Sequence, residues 1–272
     1  MIPVNSKWLR AVLGMLALWM GAAGAASAMG NARPVQPSPG AAAQAGGFRL
    51  QPATTQLIVG IAPHWDSSQV TLQRYERQRG GPWRPVGEAV PGRLGRSGLV
   101  WGLGLHPVPP GATLKQEGDG RAPAGAFALG GAYGYERDVR RQTGLAYHQV
   151  TEADMWVEDP QSPHYNRHLR MQHGSPQTQW EHDQQMRQND PAHALKLFIA
   201  HNSGQRVVPN AGSAIFFHIW RDNGGRPSAG CTVMPEPAVR ELVAWVDPRR
   251  FPVYVLLPQA EYQALRGPWG LP

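Results

Sequence analysis

Cys231 and His218 are the side chains of this sequence whose types and spacing suit covalent chemistry. Cys231 is the only cysteine in 272 residues. In a chain that carries an export leader, as the first 28 residues indicate, a lone thiol has no disulfide partner. It is then either a buried, inert residue or a reactive nucleophile. Its neighbourhood favours the second. Cys231 follows Ser228-Ala229-Gly230, small residues that leave the backbone open to close approach, and a helix pattern begins shortly after it. Backbone N–H groups in such a loop can hold a developing negative charge. A thiol nucleophile also needs a base. AIFFHIW, Ala214 to Trp220, reads as a strand whose alternation sets Phe216, His218 and Trp220 on one face and Ile215, Phe217 and Ile219 on the other. The short loop Arg221 to Arg226, with Gly224-Gly225 as its turn, brings the chain back toward Cys231. A neighbouring imidazole can lower a thiol pKa and supply the thiolate.

Around this pair the expected elements are mostly strands. Thr54–Ala62, Ser68–Gln78 and Leu99–His106 are candidates, separated by turns containing Gly, Pro and Asp. Val239, Leu242, Val243 and Val246 fall at helical spacing, with Pro237 in the first turn and Asp247-Pro248 as the stop. Many short strands with Gly/Pro punctuation predict a mainly β fold, a barrel or sandwich with few helices. No internal repeat is present.

Residues 1–28 have the layout of a secretory signal peptide: Lys7 and Arg10, the apolar run Ala11 to Ala22, then Ala26-Ser27-Ala28. A retained membrane anchor is the alternative, against which the run is too short to span a bilayer. Residues 29–47, rich in Gly, Ala, Pro and Gln, read as a flexible linker. Loss of Lys7 and Arg10 with the leader takes the net charge from +7 to +5. These charges are scattered, which argues against nucleic acid and suits an anionic polymer outside the membrane.

Residues 136–195 are polar, lack clear periodicity and hold six of the ten histidines. A long irregular segment in a compact domain is a functional or a disordered loop. It is read as a cap over the cleft, with Tyr165, Asn166 and Trp180 as candidate wall contacts. Its histidines raise a second hypothesis, a zinc peptidase. No H-E-x-x-H is present, and His164 and His168 have ligand spacing only if that stretch is helical, which Pro163 opposes.

The ordered motifs resemble one family. His218 followed by Ser228-Ala229-Gly230-Cys231 is similar to the His…Ser-x-Gly-Cys signature of the L,D-transpeptidase (YkuD-type) catalytic domain. Lys115–Gly130, KQEGDGRAPAGAFALG, resembles its K-x-x-GDG-x-x-P-x-G-x-F segment. Met155–Arg167 and Leu197–Asn202 resemble a branch with an extended middle section. GSAIFFHIW and PVYVLL also fit. The resemblance covers residues 48–258 as one catalytic domain, with 259–272 as a C-terminal tail. It implies a closed mixed β-barrel or sandwich with a few peripheral helices, acting on peptidoglycan stem peptides in the periplasm or cell envelope. Cys231 would attack a meso-diaminopimelate–D-alanine carbonyl, and His218 would shuttle the proton. The N–H groups of Gly230 and Cys231 would form the oxyanion hole. An amine from a second stem would resolve the thioester into a 3-3 cross-link; water would give a carboxypeptidase or endopeptidase. A wall-binding protein without catalysis is a further alternative. Expected partners are donor and acceptor stem peptides, carbapenem-type inhibitors and, as another acceptor, an outer-membrane lipoprotein. No metal or organic cofactor is required. The group orienting His218 is open between a backbone carbonyl and a side chain such as Asp222. Many relatives carry an arginine two residues after the cysteine, where this chain has Val233. Arg221 or Arg226 is expected to supply that charge, with Ser228 in the same loop on the substrate side.

Overall fold

In this computed structural model residues 47–272 are described; the leader and the linker up to residue 46 lie outside them. The elements are β1 (Gln56–Ala62), β2 (Gln69–Glu76), β3 (Arg84–Arg93), β4 (Leu99–Trp101), β5 (Ala122–Gly134), β6 (Tyr147–Gln149), β7 (Asp154–Trp156), β8 (His168–Arg170), α1 (Gln179–Asp183), β9 (Leu195–Ile199), β10 (Phe216–Ile219), β11 (Thr232–Met234), α2 (Glu236–Trp245), β12 (Val253–Pro258) and α3 (Gln259–Trp269).

Eight strands close a barrel in the order β12-β1-β2-β3-β11-β10-β9-β5, with β5 pairing back onto β12. The β1–β12 and β10–β11 pairs are parallel and the other barrel pairs antiparallel, so the barrel is mixed. β1 and β12 read as unbroken apolar runs because they are covered on both faces, by the barrel interior and by α3. The helical stripe predicted for α2 is present: Val239, Leu242, Val243 and Val246 are all buried in the main core.

Three expectations change. The strand expected over Leu99–His106 stops at Trp101, and His106 enters the core between Trp101, Phe127 and Trp269. Residues 259–272 are no tail: α3 buries Tyr262, Leu265 and Trp269 in the same core. Residues 136–195, which show no periodicity in sequence, hold β6, β7, β8 and α1. β6 extends the barrel sheet at β5, and β7 and β8 form a separate two-stranded sheet.

Alternation on β9 and β10 divides two cores. Leu195, Leu197, Ile199, Phe217 and Ile219 point into the barrel. Phe198 and Phe216 point outward, where Val150, Trp156 and Met186 of the middle segment cover them. Cys231 packs against this second, smaller cluster. The middle segment therefore covers the face that bears the thiol, as a cap would.

Candidate active site

One row of residues crosses five strands on the outer face. Tyr133 (β5), Lys196 (β9), His218 (β10), Val233 (β11) and Arg93 (β3) are successive cross-strand partners. Directly paired side chains share a face. Cys231 lies two residues before Val233, so it shares that face and stands diagonal to His218.

The cysteine loop is braced from both sides. Leu94 C=O accepts the Ser228 N–H at 2.8 Å, and Ser228 C=O accepts the Arg96 N–H at 2.9 Å. On the other side runs the GDG turn. Asp119 accepts Lys115 Nζ at 2.5 Å and the N–H groups of Gln116 and Arg121 at 2.9 and 2.8 Å. Gly118 and Gly120 take φ of +73° and +69° to close that turn. A Cβ on Gly230 would stand 3.0 Å from Arg121 C=O, so the two loops meet where only glycine fits well.

Ser228 holds this loop together from within. Its Oγ donates to Cys231 C=O at 2.6 Å and accepts the Gly230 N–H at 3.0 Å. The Gly230 N–H is thus engaged, and an oxyanion role for it requires exchange of that bond.

The thiol is half-buried. Sγ accepts the Phe216 N–H and donates to Ala214 C=O, both at 3.4 Å. Ala214 has φ +53°, and its N–H is held by Asn166 Oδ1 at 3.0 Å. Asn166 Oδ1 also accepts Trp156 Nε1–H at 2.9 Å, while Nδ2 donates to His201 and Asn202 carbonyls at 3.0 and 2.8 Å. All four hydrogen-bonding positions of Asn166 are used. Through the Ala214 N–H it anchors the residue whose carbonyl the thiol faces, and with all four positions used and the side chain buried it has no free group for the substrate-wall contact expected of it. Tyr165 is likewise buried, its hydroxyl donating to Glu117, which also accepts Ser213 Oγ at 2.7 Å. Trp180 stands at the surface on Asp159.

His218 Nδ1 faces two carbonyls, Ile219 at 2.9 Å and Ala192 at 3.1 Å. A nitrogen between two acceptors must carry the proton, so Nε2 keeps the lone pair. Backbone carbonyls thus orient the ring; Asp222 is exposed and pairs with Arg226 at 3.6 Å. The support extends outward. Asp190 caps the turn Pro191–His193 through the Ala192 N–H at 2.8 Å. Arg221 places Nε and Nη2 on Asp190 at 2.9 and 2.5 Å, and Nη2 on His193 Nε2 at 3.0 Å. His193 stacks on His218 with centroids 4.7 Å apart. Arg221 therefore buttresses the base through Asp190 and His193. Arg226 is mostly exposed.

Burial pushes the Cys231 thiol up to about 11, with Glu158 adding to the rise against the Phe216 N–H and Lys196. Burial takes His218 down to about 4. At neutral pH the pair is therefore thiol and neutral imidazole. Desolvation disfavours both charged forms, which works against a preformed thiolate.

Sequence reading missed two charged residues beside the thiol. Lys196 is buried, donates to Met186 C=O at 3.3 Å and lies 5.6 Å from the Phe216 ring centroid. Burial lowers it to about 8, and Glu158, exposed on the middle segment, adds a negative charge that acts on both Lys196 and the thiol. A signal was present: Lys196 interrupts the apolar LKLFI strand at an outward position. The helix on which His164 and His168 would have ligand spacing does not form: His164 is exposed in a turn and His168 lies on a strand.

No curated protein matches the chain. The model of the L,D-transpeptidase catalytic domain, YkuD, matches residues 86–255, which run from within β3 to the middle of β12 and include Cys231 and His218. With the closed mixed barrel it fits, that match places the chain in the L,D-transpeptidase (YkuD) catalytic-domain family of peptidoglycan enzymes.

Proposed function

We propose that the protein is a cysteine-dependent L,D-transpeptidase that joins peptidoglycan stem peptides in the cell envelope. The observation that carries this reading is the fixed tautomer of His218, whose basic Nε2 belongs to a ring on the same face as Cys231. The thiol gives its proton to Nε2 as Sγ bonds to the carbonyl carbon of a diaminopimelate–D-alanine bond. The C–N bond then breaks, and the same proton leaves on the D-alanine amine. An amine of a second stem attacks the thioester, forms the new amide and releases the thiol. The apolar surround of Phe216, Trp156 and Met186 supports transfer to an amine over hydrolysis, because it limits water at the thioester. The leader supports an exported enzyme, and carbapenems would acylate the same sulfur. Incubation with tetrapeptide-bearing muropeptides, resolved by mass, tests the reading. Dimers linked between two third-position residues are expected; release of D-alanine alone would assign a carboxypeptidase.

Val233 is buried and uncharged, but its cross-strand partner is Arg93. Among the described residues Arg93 Nε is buried without a partner, and Nη2 donates to Ser68 Oγ at 3.3 Å. This guanidinium has donors to spare for a stem-peptide carboxylate. Arg93→Ala is expected to raise KM for a tetrapeptide donor about tenfold or more, since charge-assisted hydrogen bonds contribute roughly 1.5–3 kcal/mol. Thiol labelling of Cys231 should stay near the wild-type rate. An unchanged donor KM would remove Arg93 from the site.

A further inference from the structure

We infer that His148, Asp154 and His168 form a binding site for one zinc-type divalent ion, which ties the middle segment to the barrel. This site is separate from the thiol chemistry and does not depend on the proposed activity. The three residues come from three elements, β6, β7 and β8. Among the described residues they are the group of histidine, cysteine and acidic side chains whose ligand atoms converge, all within 4.8 Å of one another. Asp154 is fully buried. Its Oδ1 faces both imidazoles, 2.7 Å from His148 Nε2 and 2.8 Å from His168 Nε2. Its Oδ2 is held from behind by the Thr151 N–H and Oγ–H, each at 2.7 Å. Such a hydrogen-bonded carboxylate is how proteins orient a metal ligand.

The rings stand 4.7 Å apart and are partly exposed, so an ion and a solvent ligand have a route in. Metal–ligand bonds of about 2.0–2.1 Å in a tetrahedral arrangement need N···O separations of roughly 3.3 Å. Each ring must then back away from Asp154 by roughly half an ångström, which its exposure permits. On binding, each Nε2 exchanges its proton for the ion, and that proton moves to Nδ1 or to solvent. Two imidazoles and one carboxylate suit zinc, nickel or copper; calcium and magnesium want oxygen ligands.

The location gives the ion a structural role. β6 is part of the barrel sheet, whereas β7 and β8 form a separate two-stranded sheet, joined by a bridge from Met155 to Gln185. β7 ends at Trp156, and Asn166 lies just before β8; both shape the wall around Phe216 and Ala214. An ion bridging the three strands would lock that wall against the barrel.

The test uses the leaderless protein, stripped with chelator and titrated with zinc chloride by calorimetry, with cobalt(II) as a visible spectroscopic probe. One ion per chain is expected, with a Tm that rises with zinc concentration. Asp154→Asn should abolish binding. His148→Gln, at a partly exposed ring, should weaken it at least tenfold while the metal-free Tm stays within a few degrees of wild type. That second variant decides the question if the first fails to fold. Absence of stoichiometric binding, or binding that His148→Gln leaves unchanged, would overturn the proposal; in the latter case the ion sits elsewhere, for instance on His173 and Glu181.

Discussion

Cys231→Ala should reduce muropeptide turnover and carbapenem acylation to background, a loss on the order of a millionfold, as when the nucleophile of a nucleophile–base unit is removed. The loss should be complete because the chain has no other cysteine to take over. The fold should survive. The deleted sulfur accepts one N–H, from Phe216, at 3.4 Å, and its site is half-buried. The cost is therefore about 1 kcal/mol, a shift of a few degrees in Tm. Thermal unfolding and product mass, measured on the same preparation, check both halves. Cross-linked product from a folded Cys231→Ala protein would end the mechanism proposed for this site.

His218→Ala should slow carbapenem acylation by about 100- to 10,000-fold at neutral pH, the usual range for a general base. The pH dependence follows from the two shifts. His218 lies lowered to about 4, so the wild-type base stays neutral and competent down to that pH and fails only below it. Cys231 lies raised to about 11, so without the base the thiolate fraction grows about tenfold for each pH unit up to that value. The deficit of the mutant should therefore shrink steadily from pH 7 to 10. An ordinary thiol would level off near its model value of about 8.5 instead. Stopped-flow acylation across this range reads the slope. A mutant as fast as wild type at pH 7, or a deficit that ignores pH, would remove His218 from proton transfer.

The parts of this protein legible in its sequence are those set by local geometry. Period-two alternation in AIFFHIW assigned His218 and Phe216 to one face and Phe217 to the other, because a strand can do nothing else. Helical spacing from Val239 to Val246 marked α2 for the same reason. The lone cysteine in its small-residue loop and the histidine one strand upstream were visible as a pair. β5, the longest strand, was visible only as a motif, because APAGAFALGGAYG lacks the β-branched residues that mark strands. α3 passed as a tail because Gly267 and Pro268 break its helical signature.

What only the tertiary structure decided depends on residues far apart in sequence. Pairing of β3 with β11 puts Arg93 beside Val233, 140 positions away. The capped turn at Ala192 fixes the His218 tautomer, and Asn166 anchors Ala214, beside the thiol, by its N–H. Desolvation on a face that the middle segment covers disfavours the charged forms of Cys231 and His218. Residue identity and spacing determine which groups can react. Strand register and desolvation, which exist only once the barrel closes and its cap is docked, determine their partners and their protonation.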